Sequence, residues 1–182
     1  MARARHILLT GLPGCGKTTV AMAALALLRE SGVATFGFWT QEIREGGERR
    51  GFALELVSGG RDVLASVDLV APRVGKYGVN VEAMQRLVVP EIERAIAAAR
   101  TGARAVIVMD EIGKMELFSR SFQQVVVSAL DSPAWVLATV MLRPHPFADS
   151  LKARSDVQVV TVTAENRSGL AERILEQLLA EV

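Results

Sequence analysis

With 182 residues, half of them hydrophobic, the chain is long enough to bury one sizeable core without help from disulfides or structural metals. Its formal net charge of +1, from 21 basic and 20 acidic residues of interspersed sign, gives no broad basic footprint, which leaves nucleic-acid binding unsupported. Cys15 is the single cysteine, so there is no disulfide framework and the composition suits a reducing compartment.

The basic start, Met1 to Arg5, is followed by an apolar stretch that stops at Gly11, too short for an export signal. No later stretch approaches the roughly eighteen uncharged apolar residues of a membrane span. The expected organisation is therefore one cytoplasmic, monomeric domain over residues 1–182.

His6 to Thr10 reads as a short buried strand ended by a glycine-rich turn, and Lys17 to Arg29 as a helix stopped at Gly32. Val33 to Glu42 is a second strand. Gly46-Gly47 separates it from residues 51–57, where Phe52, Leu54 and Leu56 alternate with smaller or polar residues, and Gly59-Gly60 leads into Asp62 to Val67. These segments predict an antiparallel meander set into an alternating α/β chain. Asn80 caps a helix from Val81, which Pro90 either kinks or restarts before it ends at Arg100 and Gly102. Ala105 to Met109 is a continuous apolar run of the kind buried on both faces of a sheet. Leu117 to Leu130 is expected as a helix, Trp135 to Val140 as a strand, Phe147 to Ala153 as a short helix and Val157 to Val162 as the last strand. From Glu165, the spacing of Leu170, Ile174, Leu175, Leu178, Leu179 and Val182 predicts an amphipathic closing helix. The order implies a mainly parallel sheet flanked by helices, with the meander inserted after the second strand.

Gly11-Leu-Pro-Gly-Cys-Gly-Lys-Thr18 matches the phosphate-binding loop (Walker A) pattern and lies between a strand and a helix, where that pattern has mechanical meaning. Its glycines let backbone N–H groups turn inward, and the helix behind adds its positive end to an anion cradle. The cradle comprises Gly11, Leu12, Pro13, Gly14, Cys15, Gly16, Lys17, Thr18 and Thr19. Lys17 is expected on the β- and γ-phosphates and the Thr18 hydroxyl on magnesium, which takes few protein ligands. Cys15 is read as a small residue at a variable loop position.

A second element, Val106-Ile-Val-Met-Asp-Glu111, delivers two carboxylates at the carboxyl end of a buried strand, where open α/β sheets bind ligands (Walker B). Asp110 suits the metal, and Glu111 is the candidate general base for an attacking water. Thr139 closes the next strand and would face the γ-phosphate or the water if that strand lay beside the first. Arg143, Arg154 and Arg167 fall near the last two strands, where a guanidinium can stabilise transition-state charge or stack on a base.

On these residues the chain resembles the THEP1-type, or cancer-related, nucleoside triphosphatases. The resemblance rests on the phosphate loop, on Asp110-Glu-Ile-Gly-Lys-Met-Glu-Leu117, and on Phe38-Trp-Thr-Gln-Glu-Ile-Arg44 followed by Arg50-Gly-Phe52. Gly75-Lys-Tyr-Gly-Val-Asn80 and Thr163-Ala-Glu-Asn-Arg167 extend it over nearly the whole chain. It implies a P-loop domain, magnesium dependence, and hydrolysis of ATP, GTP, CTP and UTP to diphosphate and phosphate with broad choice of base. It also places nucleotide contacts on Gly11 to Thr18 and on Asp110, Glu111, Ile112 and Gly113. Asn166 and Arg167 are the candidate contacts on the base side. Gln41 stands where the family often has Glu, and Arg143-Pro-His-Pro146 matches no functional motif.

The same loop, lysine and metal would serve a small-molecule or nucleotide kinase, with the meander as an acceptor pocket. A nucleotide-dependent switch is the other alternative, although no Asn-Lys-x-Asp guanine-reading segment occurs.

Overall fold

The structure, a computed structural model, describes residues 4–180. Among them one sheet of nine strands runs in the order β5-β6-β4-β3-β2-β7-β8-β1-β9. The strands are β1 (His6–Thr10), β2 (Ala34–Glu45), β3 (Glu48–Leu56), β4 (Arg61–Ser66), β5 (Arg73–Val74), β6 (Tyr77–Val79), β7 (Ala105–Ile112), β8 (Trp135–Val140) and β9 (Val157–Thr161). Neighbours from β2 through β7, β8 and β1 to β9 are parallel. Those from β2 outward through β3, β4, β6 and β5 are antiparallel.

The parallel strands read as apolar runs because helices cover both of their faces. On one face, α1 (Lys17–Glu30) and α6 (Leu170–Leu179) pack Val20, Ala24, Leu28, Ile174 and Leu178 against Ile7, Leu9, Val106, Val108 and Leu137. On the other, α3 (Val89–Arg100), α4 (Arg120–Leu130) and α5 (Pro146–Lys152) cover Leu8, Ile107, Met109, Val136 and Ala138. Alternate residues of each strand feed alternate cores, as a period of two requires.

Several boundaries differ from the sequence expectation, each for a local reason. The second strand runs on to Glu45 because its far half is paired by β3 across the Gly46-Gly47 turn, after β7 has ended. Tyr77–Val79 folds back on Arg73–Val74 as a small hairpin that its weak alternation did not reveal. Pro90 stands in the first turn of the second segment, α3, as expected: α2 (Val81–Ala83), capped by the Asn80 side chain, passes through the π-helical stretch Met84–Val88 into it. A proline there forgoes no hydrogen bond that the widened turn would have closed.

The helix expected from Leu117 starts at Arg120, capped by Ser119, whose hydroxyl accepts from Phe122 N–H at 3.2 Å. Leu117 belongs to a preceding 3-10 turn, Glu116–Phe118. The closing helix begins at Leu170 rather than Glu165. Residues 163–166 are held out of it by Asn166, whose Oδ1 accepts from Thr163 N–H at 2.9 Å and whose Nδ2 donates to Thr161 O at 2.8 Å. Val182 lies outside the described residues, as do Met1 to Arg3.

Two buried polar groups tie the layers together. His6, 0% exposed, donates from Nε2 to Leu130 O at 3.0 Å and accepts at Nδ1 from Val136 N–H at 3.2 Å, which fixes the neutral ring. Glu91 on α3, at 1% exposure, accepts from Gly37 N–H at 3.3 Å and the Ser58 hydroxyl at 2.8 Å and pairs with Arg94.

Candidate active site

The site lies at the carboxyl ends of β1, β8 and β7, which bring together the loop before α1, Thr139 and the paired acids. Gly11 leaves β1 at φ 145°, and a Cβ there would lie 2.7 Å from Val162 O, so the loop can begin only with glycine. Gly16 closes the loop as the N-cap of α1 at φ 107°. No side chain caps the helix and its first turn carries no acid. Its leading N–H groups are thus left to an anion.

Leu12, Pro13 and Gly14 form the exposed crest of the loop, while Cys15 is half-buried against the α1/α6 core. Lys17 Nζ donates to Gly11 O at 3.0 Å and Leu12 O at 3.1 Å, which lays the ammonium across the mouth of the cradle. Thr18 and Thr19 are exposed at the start of α1, and the Thr18 hydroxyl lies near the Asp110 carboxylate and favours its charged form.

β8 does lie between β1 and β7, with Leu9 level with Thr139 and Met109 level with Ala138. Thr139, 0% exposed, donates to Asp110 Oδ1 at 2.5 Å. Its hydroxyl therefore orients the acid instead of facing the phosphate or the water. Asp110 is buried, and burial raises its proton affinity against the opposing pull of Thr139, Thr18 and Lys17. Glu111 is half-buried, and its carboxyl is pushed up by burial and then by the Asp110 charge, with Lys17 opposing. Ile112 and Gly113 are buried behind it.

Such a pair can divide the work. Asp110, bracketed by two hydroxyls, has the donor set of a hard-cation site. Glu111, without an ion pair among the described residues and raised in basicity, has the character of a general base.

The arginines separate clearly. Arg154 is bound to Asp156 and Asp131, at 2.7 and 2.8 Å from Nη2, and serves the fold. Arg143 is exposed after β8. Arg167 is exposed and lies over the phosphate loop, its Cδ 3.2 Å from where a Gly16 Cβ would stand. Asn166 sits beside it, but its amide is engaged in its own turn. The residue that sequence reasoning missed is Glu116, at 4% exposure. Its apolar neighbours Met115 and Leu117 were the available signal.

Fold and site together define a P-loop protein built to grip a nucleoside triphosphate. A family model described as NTPase matches residues 6–175. The human cancer-related nucleoside-triphosphatase is 41% identical over 182 residues, covering 94% of this chain and 95% of that protein. Nucleoside-triphosphatase THEP1 of Thermotoga maritima is also 41% identical, over 173 residues and 94% of each chain. The crystal structure of THEP1 from Aquifex aeolicus, 36% identical, superposes with a TM-score of 0.85 over 95% of this chain and 98% of that one. The chain belongs to this nucleoside-triphosphatase family.

Proposed function

We propose that the protein is a magnesium-dependent nucleoside-triphosphatase that converts ATP, GTP, CTP and UTP to the diphosphate and phosphate with little choice of base. Hydrolysis of a phosphoric anhydride follows from the family. The observation that carries it is the Asp110–Glu111 pair, one acid bracketed by hydroxyls and the other left as a free base beside the phosphate cradle.

Asp110 and Thr18 fit a magnesium ion. A buried carboxylate whose burial disfavours its charge gains from a hard cation, and the joined hydroxyl supplies a second oxygen. Magnesium, when bound there, draws charge from the phosphate oxygens. The loop N–H groups and Lys17 hold the β- and γ-phosphates, exchanging the Gly11 and Leu12 carbonyls for phosphate oxygen. Glu111 accepts the proton of a water whose oxygen bonds to the γ-phosphorus as the bond to the β,γ-bridging oxygen breaks. Arg167, over the loop, is the side chain positioned to stack on a base or meet phosphate charge.

Weak base selection is supported by the same residues. The Asn166 amide is turned into its own backbone and the Arg167 plane stacks on any base, so the four triphosphates should differ in kcat/KM by about tenfold at most, roughly 1.4 kcal/mol. The test is phosphate release from each triphosphate, with and without magnesium, and with and without a panel of nucleosides and vitamins. Release without any acceptor supports the hydrolase, whereas acceptor-dependent consumption of ATP would make it a kinase. A thousandfold preference for one base would overturn the broad specificity.

A further inference from the structure

The acidic string carries a third carboxyl that the mechanism above does not use. Glu116 opens the 3-10 turn Glu116–Phe118 and is almost wholly buried. The backbone N–H groups of Gly113 and of Glu116 itself lie near its carboxyl and favour its charged form. The turn around it is closed by Leu117 N–H to Gly113 O at 3.0 Å and Ser119 N–H to Glu116 O at 3.0 Å. Gln123 Nε2, donating to Leu117 O at 2.8 Å, ties it to α4.

Gly113 meets both glutamates. A Cβ built on it would lie 2.4 Å from Glu111 Oε1 and 3.0 Å from Glu111 Cδ, so the Glu111 carboxyl rests directly on its bare Cα. The Gly113 N–H lies near the Glu116 carboxyl, and the Gly113 carbonyl closes the turn that Glu116 opens. A buried acid is a costly way to satisfy a backbone donor, since an amide oxygen would do so without a proton to keep. Its place in the turn that carries Gly113, on which the candidate base rests, gives the cost a purpose.

We propose that Glu116 is a positioning residue for Glu111, acting through Gly113: it holds the turn whose side-chain-free surface keeps the Glu111 carboxylate where it can take a proton from water. This rests on the reading of Glu111 as the base.

Electrostatics give the arrangement a second consequence. Burial, then the Glu111 charge, and more weakly the Asp110 charge, push the Glu116 carboxyl up to about 8. The groups that face it are these two acids of β7, the N–H groups of its own turn and the neutral Gln123 end of α4. Below about pH 8 it is an uncharged acid beside the Glu111 carboxyl. Above about pH 8 a second negative charge enters the same dry space and repels Glu111 from Gly113.

The experiment compares Glu116→Gln, Glu116→Leu and Gly113→Ala with the parent protein, measuring ATP affinity in magnesium and single-turnover phosphate release from pH 6 to 9.5. Glu116→Leu and Gly113→Ala should each slow release about ten- to a hundredfold with affinity within about threefold, as displacement of a reacting group by an ångström or so does. Glu116→Gln, which keeps the acceptor oxygen, should restore the rate to within about threefold at pH 7. It should also lack the decline that the parent shows above about pH 8.

The proposal is overturned by full activity in Glu116→Leu, by a glutamine variant as slow as the leucine one, or by the same alkaline decline in parent and glutamine variant. If the leucine variant fails to fold, the glutamine comparison decides alone. Slow Glu111→Gln with normal Glu116 variants removes only this proposal, whereas near-normal Glu111→Gln removes the base on which it rests.

Discussion

Glu42 and Glu111 sit at the far ends of paired strands, β2 and β7, yet their surroundings drive them in opposite directions. Glu42 lies on the antiparallel extension, where Arg49 and Arg44 hold its carboxyl below the usual carboxylate range. Glu111 lies where the parallel half ends, and burial with the Asp110 charge pushes it upward. The antiparallel half settles its acids with arginines at the solvent boundary. The parallel half carries Asp110 and Glu111 to its carboxyl end with no ion pair among the described residues, where their charge is available to a metal and a proton. Acids of one kind in one sheet are thus divided between fold and chemistry by what stands beside them.

The largest effect should come from removing the phosphate and metal contacts on the parallel side. Lys17→Ala and Thr18→Ala should both abolish detectable turnover, but raised magnesium should partly recover the threonine variant and leave the lysine variant inactive. Excess metal offsets a missing ligand and cannot replace an ammonium group. Equal rescue in magnesium titrations of phosphate release would undo the division of roles.

A smaller effect concerns the buried neutral groups that hold the parallel strands. Burial keeps the His6 ring pKa down at about 4, against about 6.5 when unfolded, despite Asp156 nearby. The native state binds this proton less readily than the unfolded chain, so the stabilisation is full above pH 6.5 and is lost as pH falls toward 4, up to about 3 kcal/mol. Melting temperature measured from pH 7.5 to 4 should fall more steeply in the parent than in His6→Gln. Parallel curves would contradict it.

The smallest effect belongs to the extension. Glu42→Gln should leave phosphate release unchanged and cost no more than about 1 kcal/mol in denaturant unfolding, because its arginine pairs are well exposed. Since its folded carboxyl is lowered, that contribution is present at neutral pH and lost as pH falls below 4.5. A tenfold loss of turnover would bring the extension into the active site.

The parallel half was legible because its signals are local. The apolar runs at His6 to Thr10 and Ala105 to Met109, the loop Gly11 to Thr18 and the two acids each carry their meaning within a few residues. Thr139 was legible in place but not in role. Its bond to Asp110 depends on β8 lying between β1 and β7, a fact of sheet order that one strand cannot state. For Asn166 the turn it makes was not legible: its amide bonds to Thr163 and Thr161 depend on how the chain folds back after β9. The buried states of Glu116 and Glu91 had no sequence signal beyond an acid among apolar neighbours. Burial of a charge is decided by packing from distant elements, here the turn against α4 and Ser58 against α3.

The division of labour between Asp110 and Glu111 is tested most directly by measuring nucleotide affinity and single-turnover phosphate release for Glu111→Gln and Asp110→Asn side by side. Glu111→Gln should bind ATP with magnesium as the parent does and release phosphate about a hundred- to ten-thousandfold more slowly, the range expected on losing a general base. Asp110→Asn should weaken both affinity and rate, because its carboxylate serves the metal. Near-normal hydrolysis by Glu111→Gln would contradict the account and move the chemistry to another group.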